Sequence, residues 1–290
     1  MKKIAIIGSG PSAFYAAQAL FKSDHLIKVD MFEKLPTPFG LLRGGVAPDH
    51  QQMKTVSKLY DKIASNEHFR FFGNVEVGAD IEFDQLKSHY HAVIVAVGAE
   101  TDRKMNIPGE NSHGSHTATE FVAWYNGQPN YQDHQFDLNG DSAVIIGQGN
   151  VAVDVTRILA KPIDVLNQTD ITENAIQNLK KSNIKNIYMI GRRGPAQAAF
   201  TELELKELGK IDGVNVKIHD DLTLSEADIE ETKTVSKSRK NIEQLNHIKA
   251  IEQSDSPLKT IHIMFYSSPT EVIAIDNKIQ RIKFQKNKRI

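Results

Sequence analysis

Short apolar runs alternate with segments of helical periodicity along most of the chain. Residues 4–7 form the first run, and apolar residues then recur at helical spacing through residue 20. Later runs predict further strands at residues 27–34, 69–78, 91–100, 142–147 and 186–194. The run at 91–100 is apolar enough to predict a buried parallel strand. This alternation predicts an α/β fold.

The pattern of a strand, a glycine turn and a helix occurs twice. The first turn is Gly8-x-Gly10-x-x-Ala13, and the second has the glycines and alanine Gly147, Gly149 and Ala152. In a turn of this kind the first glycine permits a tight bend and the second lets a pyrophosphate approach the backbone. The small third residue lets the helix pack closely on the strand. One such turn is a weak signal, but two in the same context predict two Rossmann-like dinucleotide-binding units.

A polar segment interrupted by proline, residues 100–108, separates the two patterns. We place the domain boundary within it, which gives units 1–104 and 105–290.

The residues that end the second strand of each unit differ. Glu33 lies about 20 residues beyond the first turn, where an acid accepts hydrogen bonds from an adenosine ribose. Arg192 and Arg193 end the run at 186–194, and paired guanidinium groups favour a 2′-phosphate.

The first unit is therefore predicted to bind an adenosine without a 2′-phosphate, and the second to bind NADP(H). Two plain alternatives stay open. Glu33 can be an ordinary surface acid at a strand end, and Arg192 and Arg193 can be solvated arginines in a turn.

Segments between and beyond the strands complete the pattern. Residues 36–50 are rich in proline and glycine and predict a shaped loop, with a ligand site or a rigid connection as its two interpretations. Residues 51–65 and 200–208 predict helices. Residues 224–253 are charge-rich and predict helix with a solvated face, and the apolar stretches at 260–266, 270–275 and 278–285 predict a meander of strands.

Composition limits the possible chemistry. The chain has 290 residues, of which 40% are apolar, and a net charge of −1 from 35 basic and 36 acidic residues. This supports a substantial core and gives no general attraction for nucleic acid or anionic membranes. The chain contains no cysteine, which excludes disulfides and thiolate metal clusters from its chemistry, and its histidines lack metal-ligand spacing, so we predict no metal site.

Residues 1–21 superficially imitate a signal peptide, but the first glycine turn splits their apolar stretch, and no run elsewhere has transmembrane length. We therefore expect a cytoplasmic protein without membrane insertion.

Two dinucleotide sites without redox cysteines suggest electron transfer from a nicotinamide to a flavin. Such hydride transfer needs no protein nucleophile, which agrees with the lack of a recognisable catalytic triad.

Several long motifs carry a more specific resemblance. They lie in order between residues 3 and 209, and the most diagnostic are PFGLLRGGVAPDH at 38–50 and GRRGPAQAAFTELEL at 191–205. With these motifs the chain resembles the adrenodoxin reductase type of ferredoxin-NADP(+) reductase, within the glutathione reductase-like superfamily of flavoproteins. The resemblance implies FAD and NADP(H) as cofactors. It also implies hydride transfer from NADPH to FAD, followed by single electrons to a ferredoxin-type iron-sulfur protein.

The same resemblance assigns site residues. It implies that FAD is bound by Gly8, Gly10 and Ser12 at the turn, by Glu33 at the ribose, and by Leu41 and Val77 near the flavin. It implies that NADP is bound by Gln148, Gly149, Asn150 and Val151, by Arg192 and Arg193 at the 2′-phosphate, and by Glu204 on the adenosine side.

Less specific matches concern the reacting rings and the protein partner. The resemblance places His50 and Asp154 near the stacked rings, where a loop anchor and a helix surface acid are equally good interpretations. A loose match puts the docking site of the acidic iron-sulfur partner at Lys237, Arg239 and Lys240. Asn241 stands where another basic residue is expected.

The chain departs from the family at its end. Members of the family return to the FAD domain through a segment with a Gly-Trp pair and a glycine-rich turn, whereas the one tryptophan here is Trp124. We therefore expect an incomplete flavin domain, and an isolated chain that is prone to aggregate. A fragment, a chain completed by another polypeptide and a nonfunctional flavin site all remain open. Alternative functions are a noncatalytic NADP(H)-binding fragment and the reductase subunit of a larger flavoprotein, such as the glutamate-synthase small-subunit type.

Overall fold

The computed structural model describes residues 1–99, 102–220 and 222–288. The chain forms two compact units, unit 1 with Met1–Thr101 and Asn126–Gln128, and unit 2 with Asp102–Tyr125 and Pro129–Ile290. Residues 100 and 101, the first two of the segment in which we placed the domain boundary, lie outside the described residues. No helix in the described part of the chain is long and apolar enough to cross a membrane.

Unit 1 contains a four-stranded parallel sheet with the strand order β3-β2-β1-β4. Its elements in chain order are β1 (Lys2–Ile7), α1 (Pro11–Phe21), β2 (Ile27–Glu33), α2 (Leu41–Gly44), α3 (Gln51–Lys54), α4 (Ser57–Ala64), β3 (Phe69–Gly73), α5 (Phe83–His89) and β4 (Ala92–Val95). The helix predicted over 51–65 is thus divided into α3 and α4.

Both faces of the unit 1 sheet carry apolar side chains. Ile4 and Ile6 face α1, where Phe14 stacks on Tyr60 with ring centroids 4.8 Å apart. Ala5 points to the other face and packs with a smaller cluster of apolar residues. This two-sided burial explains why β1 contains a continuous apolar run, residues 4–7.

The strand predicted at 91–100 is shorter and more exposed than the sequence indicates. It spans Ala92–Val95 and lies at one end of the strand order. Val95 is 60% exposed and Val97 is 52% exposed. The prediction of a buried strand was wrong here, because an apolar run does not specify whether its strand is central or at the edge.

Unit 2 contains a second parallel sheet, with the order β5-β6-β8-β7, and a separate antiparallel hairpin of β9 and β10. Its helices are α6 (Ala118–Tyr125), α7 (Asn150–Ala160), α8 (Ile163–Leu166), α9 (Glu173–Lys180), α10 (Glu202–Leu208), α11 (Glu226–Thr234) and α12 (Ser236–Lys249). Its strands are β5 (Ser142–Ile146), β6 (Asn186–Ile190), β7 (Val214–Ile218), β8 (Lys259–Met264), β9 (Ser267–Ile275) and β10 (Lys278–Lys286), and short 3-10 turns occur at Pro129–Tyr131 and Pro195–Gln197.

The C-terminal stretches do not form the meander that the sequence suggested. β8 is a parallel strand inserted between β6 and β7, and β9 and β10 pair antiparallel with each other. Asp276 and Asn277 connect that hairpin with positive φ angles of 50° and 60°. Asn and Asp adopt this conformation more readily than most residues, which suits a tight two-residue connection.

The core of unit 2 surrounds α7, all of whose residues from Ala152 to Ala160 are buried. Leu245 and Ile248 of α12 enter the same core, where both are fully buried. The region 224–253 is therefore helical as predicted, but α12 is more than a solvated helix: one of its faces closes the core. That face also contains Asn241, which is fully buried.

Candidate functional site

The first glycine turn has the geometry that a phosphate site requires. Gly8 has a φ of +95°, and a Cβ at this position would overlap the carbonyl oxygen of Ala96. Gly10 is the N-cap of α1, without a capping side chain, and a Cβ placed on it would meet nothing within 4 Å. The N-terminus of α1 therefore faces open space, where backbone N–H groups and the helix dipole favour an anion.

Glu33 is tied to this turn at the end of β2. The N–H and hydroxyl of Ser9 donate to Glu33 Oε2 at 3.0 and 2.7 Å, and the N–H of Leu35 donates to Oε1 at 3.0 Å. The residue is 9% exposed, so it is not the ordinary surface acid of the alternative interpretation. A carboxylate has about four acceptor sites. One ribose hydroxyl can therefore bind without breaking these three bonds.

The loop at 36–50 folds onto the same turn. The N–H of Phe39 donates to the carbonyl of Ser9 at 2.9 Å, and a Cβ on Gly40 would lie 2.8 Å from the Cα of Gly10. Phe39 holds a φ of +90°, which is rare outside glycine, and its ring packs against Phe14 with centroids 5.2 Å apart. Phe39 thus anchors the loop, a role that its residue type and position near the start of the loop did not predict.

The remaining predicted residues of unit 1 are more dispersed. Ser12 is exposed in the first turn of α1, and Leu41 is 62% exposed at the start of α2. Val77 belongs to the opposite face of the sheet, where it packs with Phe32. His50 is half-buried just before α3. The structure therefore brings Gly8, Gly10 and Glu33 together but places Val77 elsewhere.

The second glycine turn repeats the first in unit 2. Gly147 has a φ of +139°, and Gly149 is the N-cap of α7, with no capping side chain and nothing within 4 Å of a Cβ. Val151, in the first helical turn, is 51% exposed. The side chain of Gln148 is buried and donates from Nε2 to the carbonyl of Met264 at 3.0 Å. Its Oε1 has no hydrogen-bond partner among the described residues.

A loop from the 191–205 motif is bonded to this turn. The N–H of Phe200 donates to the carbonyl of Gln148 at 2.8 Å, and the N–H of Thr201 donates to Asn150 Oδ1 at 2.9 Å. Asn241 holds the other side of the loop, because its Nδ2 donates to the carbonyl of Phe200 at 3.0 Å. The family resemblance predicts a basic residue at position 241, but the helical spacing of Asn241 with Leu245 indicates the buried face.

The two arginines extend from the loop that follows β6. Both are exposed, and they line an open groove of about 660 Å³ together with residues 285–288. Two hydrogen bonds hold their backbone in place. Asn287 Nδ2 donates to the carbonyl of Arg192 at 2.9 Å, and the N–H of Tyr266 donates to the carbonyl of Arg193 at 3.0 Å. Neither guanidinium makes an ion pair within the described residues. Their charge is thus available to an anion.

A buried guanidinium joins two residues that were predicted separately. Arg157 is fully buried, and its Nη2 lies 2.7 Å from Asp154 Oδ1 while its Nη1 lies 3.2 Å from Glu204 Oε2. Glu207 approaches the same Nη1 at 3.5 Å. Asp154 is itself buried, so it is not a helix surface acid. Removing one partner of a buried ion pair strands the other charge, which makes Arg157 a structural support for Glu204.

The basic residues of α12 have partners within unit 2. Lys237 Nζ donates to the carbonyl of Ala199 at 2.7 Å, and Lys240 Nζ lies 3.1 Å from Glu202 Oε1. Arg239 Nε lies 3.9 Å from Glu243 Oε1. The Lys240 and Arg239 side chains remain about half exposed, at 50% and 53%. Lys237 therefore supports the loop, while Arg239 and Lys240 still present positive charge to solvent.

Comparison with known proteins agrees with these features. Residues 2–243 match the model of the family described as pyridine nucleotide-disulphide oxidoreductase. The chain is 46% identical, over 98% of its length, to NADPH-ferredoxin reductase FprA of Mycobacterium leprae (strain TN). It is 43% identical, over 95% of its length, to the mitochondrial NADPH:adrenodoxin oxidoreductase of Arabidopsis thaliana.

A solved structure is similar over nearly the whole chain. Mycobacterium tuberculosis FprA in complex with NADPH superposes with a TM-score of 0.93 at 44% identity, covering 99% of this chain. The chain spans 63% and 58% of the two relatives named above and 64% of this structure. It belongs to the pyridine nucleotide-disulphide oxidoreductase family, in the group of the NADPH-ferredoxin and NADPH:adrenodoxin reductases.

Proposed function

We propose that this chain supplies the FAD-binding and NADPH-binding units of a ferredoxin-NADP(+) reductase. The observation that carries the proposal is the contrast between two otherwise similar units. An uncapped glycine turn is paired with the buried carboxylate of Glu33 in unit 1, whereas unit 2 pairs the same kind of turn with Arg192 and Arg193. The relatives' names, which include NADPH and ferredoxin or adrenodoxin, support the same assignment.

In unit 1 the chain's own groups suit FAD. The open N-terminus of α1, with Gly8, Gly10 and Ser12, binds the pyrophosphate in this proposal, and Glu33 accepts a hydrogen bond from a ribose hydroxyl. Leu41 is proposed to lie near the flavin, whereas Val77, which packs on the other face of the sheet, is left out of this proposal. A carboxylate beside the ribose would repel a 2′-phosphate, which makes this turn the less suitable one for NADP.

In unit 2 the groups suit NADP(H). The pyrophosphate is proposed to bind at the turn formed by Gln148, Gly149, Asn150 and Val151. Arg192 and Arg193 bind the 2′-phosphate, since a guanidinium offers two parallel donors to phosphate oxygens. Glu204 accepts hydrogen bonds on the adenosine side, and Arg157 holds its carboxylate in place.

The protein's contribution to the reaction is position and electrostatics. When bound, FAD supplies the conversion between a two-electron hydride donor and one-electron acceptors. The chain's residues bind the two dinucleotides and fix their orientation, and no protein nucleophile is required. His50 and Asp154 remain predictions as residues near the stacked rings, and Asp154 has in addition the structural task of pairing with Arg157.

The electron acceptor is proposed to be a ferredoxin-type iron-sulfur protein. Such a partner is acidic in this family, and α12 offers Lys237, Arg239 and Lys240 as complementary charge. Because these side chains also make internal contacts, we place the docking surface on their exposed parts.

The assignment of the NADP site is tested by the double substitution Arg192→Ala and Arg193→Ala. Binding of NADPH and of NADH to the purified chain is followed by the fluorescence of the reduced nicotinamide. We expect NADPH to bind roughly 10- to 100-fold more weakly, because charge-assisted hydrogen bonds to phosphate are lost, and NADH to bind as before. Lys233→Ala, an exposed charge paired with Glu230, is the control. Equal weakening of both nucleotides refutes the assignment.

A further inference from the structure

We propose that residues 285–288, named here the tail wall, complete the site for the 2′-phosphate. Lys288 would contribute a third positive charge that selects for the phosphate, and Asn287 would position the loop that carries Arg192 and Arg193. This inference rests on the proposed NADP site. It assigns specificity to a segment beyond the motifs that carry the family resemblance.

The hairpin register explains why the tail wall reaches the arginines. The N–H of Ser267, at the start of β9, donates to the carbonyl of Gly191 at 2.9 Å, which attaches β9 directly to the loop after β6. β10 returns antiparallel, so that Lys286 pairs with Ser267. The residues that follow Lys286 must therefore emerge beside Arg192.

Asn287 fixes the arginine loop through backbone and side-chain contacts. Its side chain donates to the carbonyl of Arg192 at 2.9 Å and to the hydroxyl of Ser268 at 2.8 Å. Its N–H donates to the carbonyl of Tyr266, the residue whose own N–H binds Arg193. The ring of Tyr266 packs so closely on Gly194 that a Cβ there would overlap the phenol oxygen. The loop is thus held on two sides without using either guanidinium.

The distribution of charge distinguishes Lys288 from its neighbours. Residues 278–288 contain five basic residues and no acidic ones. Three of the five are neutralised by nearby carboxylates: Lys278 by Asp137 at 2.7 Å, Lys283 by Glu271 at 2.6 Å and Lys286 by Asp220 at 3.1 Å.

Lys288 makes no ion pair within the described residues, and it lines the groove with Arg192 and Arg193. Three cations without a carboxylate partner therefore face one open groove. A dianion such as a phosphate monoester satisfies them better than a neutral ribose does. Lys288 is exposed, so its contribution is expected to be moderate and sensitive to salt.

The test measures binding of adenosine 2′-monophosphate and of adenosine to the purified chain by calorimetry. Lys288→Ala should weaken the nucleotide about fivefold and leave adenosine unchanged, because only the phosphate meets the lysine. Asn287→Ala should weaken the nucleotide by a similar factor through the displaced loop. Arg281→Ala removes a positive charge from the same strand outside the groove and serves as the control.

Thermal unfolding of each variant, recorded in parallel, identifies general damage. If Lys288→Ala and Asn287→Ala bind the nucleotide like the Arg281→Ala control, or lose adenosine equally, the inference is wrong. The double variant of Arg192 and Arg193 distinguishes failure of the tail-wall inference from failure of the proposed NADP site. If it retains the nucleotide affinity of the unmodified chain, or if the unmodified chain does not prefer the nucleotide to adenosine, the proposed NADP site itself is wrong.

Discussion

Asn241 shows how a single buried amide shapes the second dinucleotide site. It lies in the core-facing side of α12 and donates to the carbonyls of Ala198 and Phe200 at 3.4 and 3.0 Å. Phe200 in turn binds the backbone of Gln148 in the glycine turn. Three bonds therefore connect α12 with the turn through one loop.

Asn241→Leu should destabilise the chain by about 1–3 kcal/mol, because two buried carbonyls lose their donor. Urea unfolding followed by circular dichroism measures this loss. Asn246→Leu, at an exposed position of the same helix, is the control and should change the free energy of unfolding by less than about 0.5 kcal/mol. Equal stability of the two variants would show that the Asn241 bonds contribute nothing.

We expect His262 to make the stability of the chain sensitive to acid. It is 9% exposed on β8, stacks on Tyr188 with centroids 4.3 Å apart, and lies 2.8 Å from His219 between ring nitrogens. Burial, with the positive charge of His219 and Lys217, lowers its pKa to about 4 from the usual 6.5. Between these values the unfolded chain binds more protons than the folded chain. The contribution of neutral His262 to the free energy of unfolding is therefore fully present above about pH 6.5 and is lost as the pH falls towards 4.

His262→Phe should flatten this dependence, since phenylalanine keeps the stack and does not titrate. The difference in the free energy of unfolding between pH 7 and pH 5 should shrink by about 1–2 kcal/mol relative to the unmodified chain. Chemical unfolding at the two pH values measures it. His247→Phe, at an exposed position, should leave the difference unchanged. An unaltered pH dependence in His262→Phe would mean that another group is responsible.

At the scale of elements, each parallel sheet has an apolar strand at one of its edges. β4 and β5 stand at the ends of their strand orders, and Val95, Val144 and Ile146 are 60%, 41% and 38% exposed. Apolar edge strands can pair with other chains. We therefore expect association of the isolated chain to begin at these two edges.

Val144→Lys should reduce association of the chain in light scattering while changing the free energy of unfolding by less than about 0.5 kcal/mol. The neighbouring Ile145 points to the other face of β5, where it packs on the core. Ile145→Lys should therefore unfold the chain instead of solubilising it. Unchanged scattering in Val144→Lys would locate the association surface elsewhere.

Some elements could be predicted from the sequence and others could not. β1, α1, β5 and α7 were predictable because each combines a clear hydrophobic period with a glycine turn. The membership of β8 in the parallel sheet was not, since its apolar run resembles those of β9 and β10. The apolar run of β4 gave its strand type but not its edge position. Strand order depends on long-range pairing that a local pattern does not contain.

At the scale of the whole molecule, the sequence predicted the α/β class and the family, both of which were confirmed. Parts of the candidate site were visible as well, because glycines and charged residues at fixed spacing have few other uses. The residues that support the site were not visible. Arg157 and Phe39 act through burial and contacts with distant segments, which neither residue type nor spacing reveals. The helical spacing of Asn241 with Leu245 indicates its burial but not its bond to Phe200.

The central claim is that unit 1 binds FAD and unit 2 binds NADPH as its reductant. It is tested most directly by loading the purified chain with FAD and adding NADPH or NADH without oxygen. The account predicts that NADPH bleaches the flavin absorbance at much lower concentration than NADH does. A chain that cannot be loaded with FAD, a bound flavin that NADPH leaves oxidised, or equal bleaching by both nucleotides would contradict it.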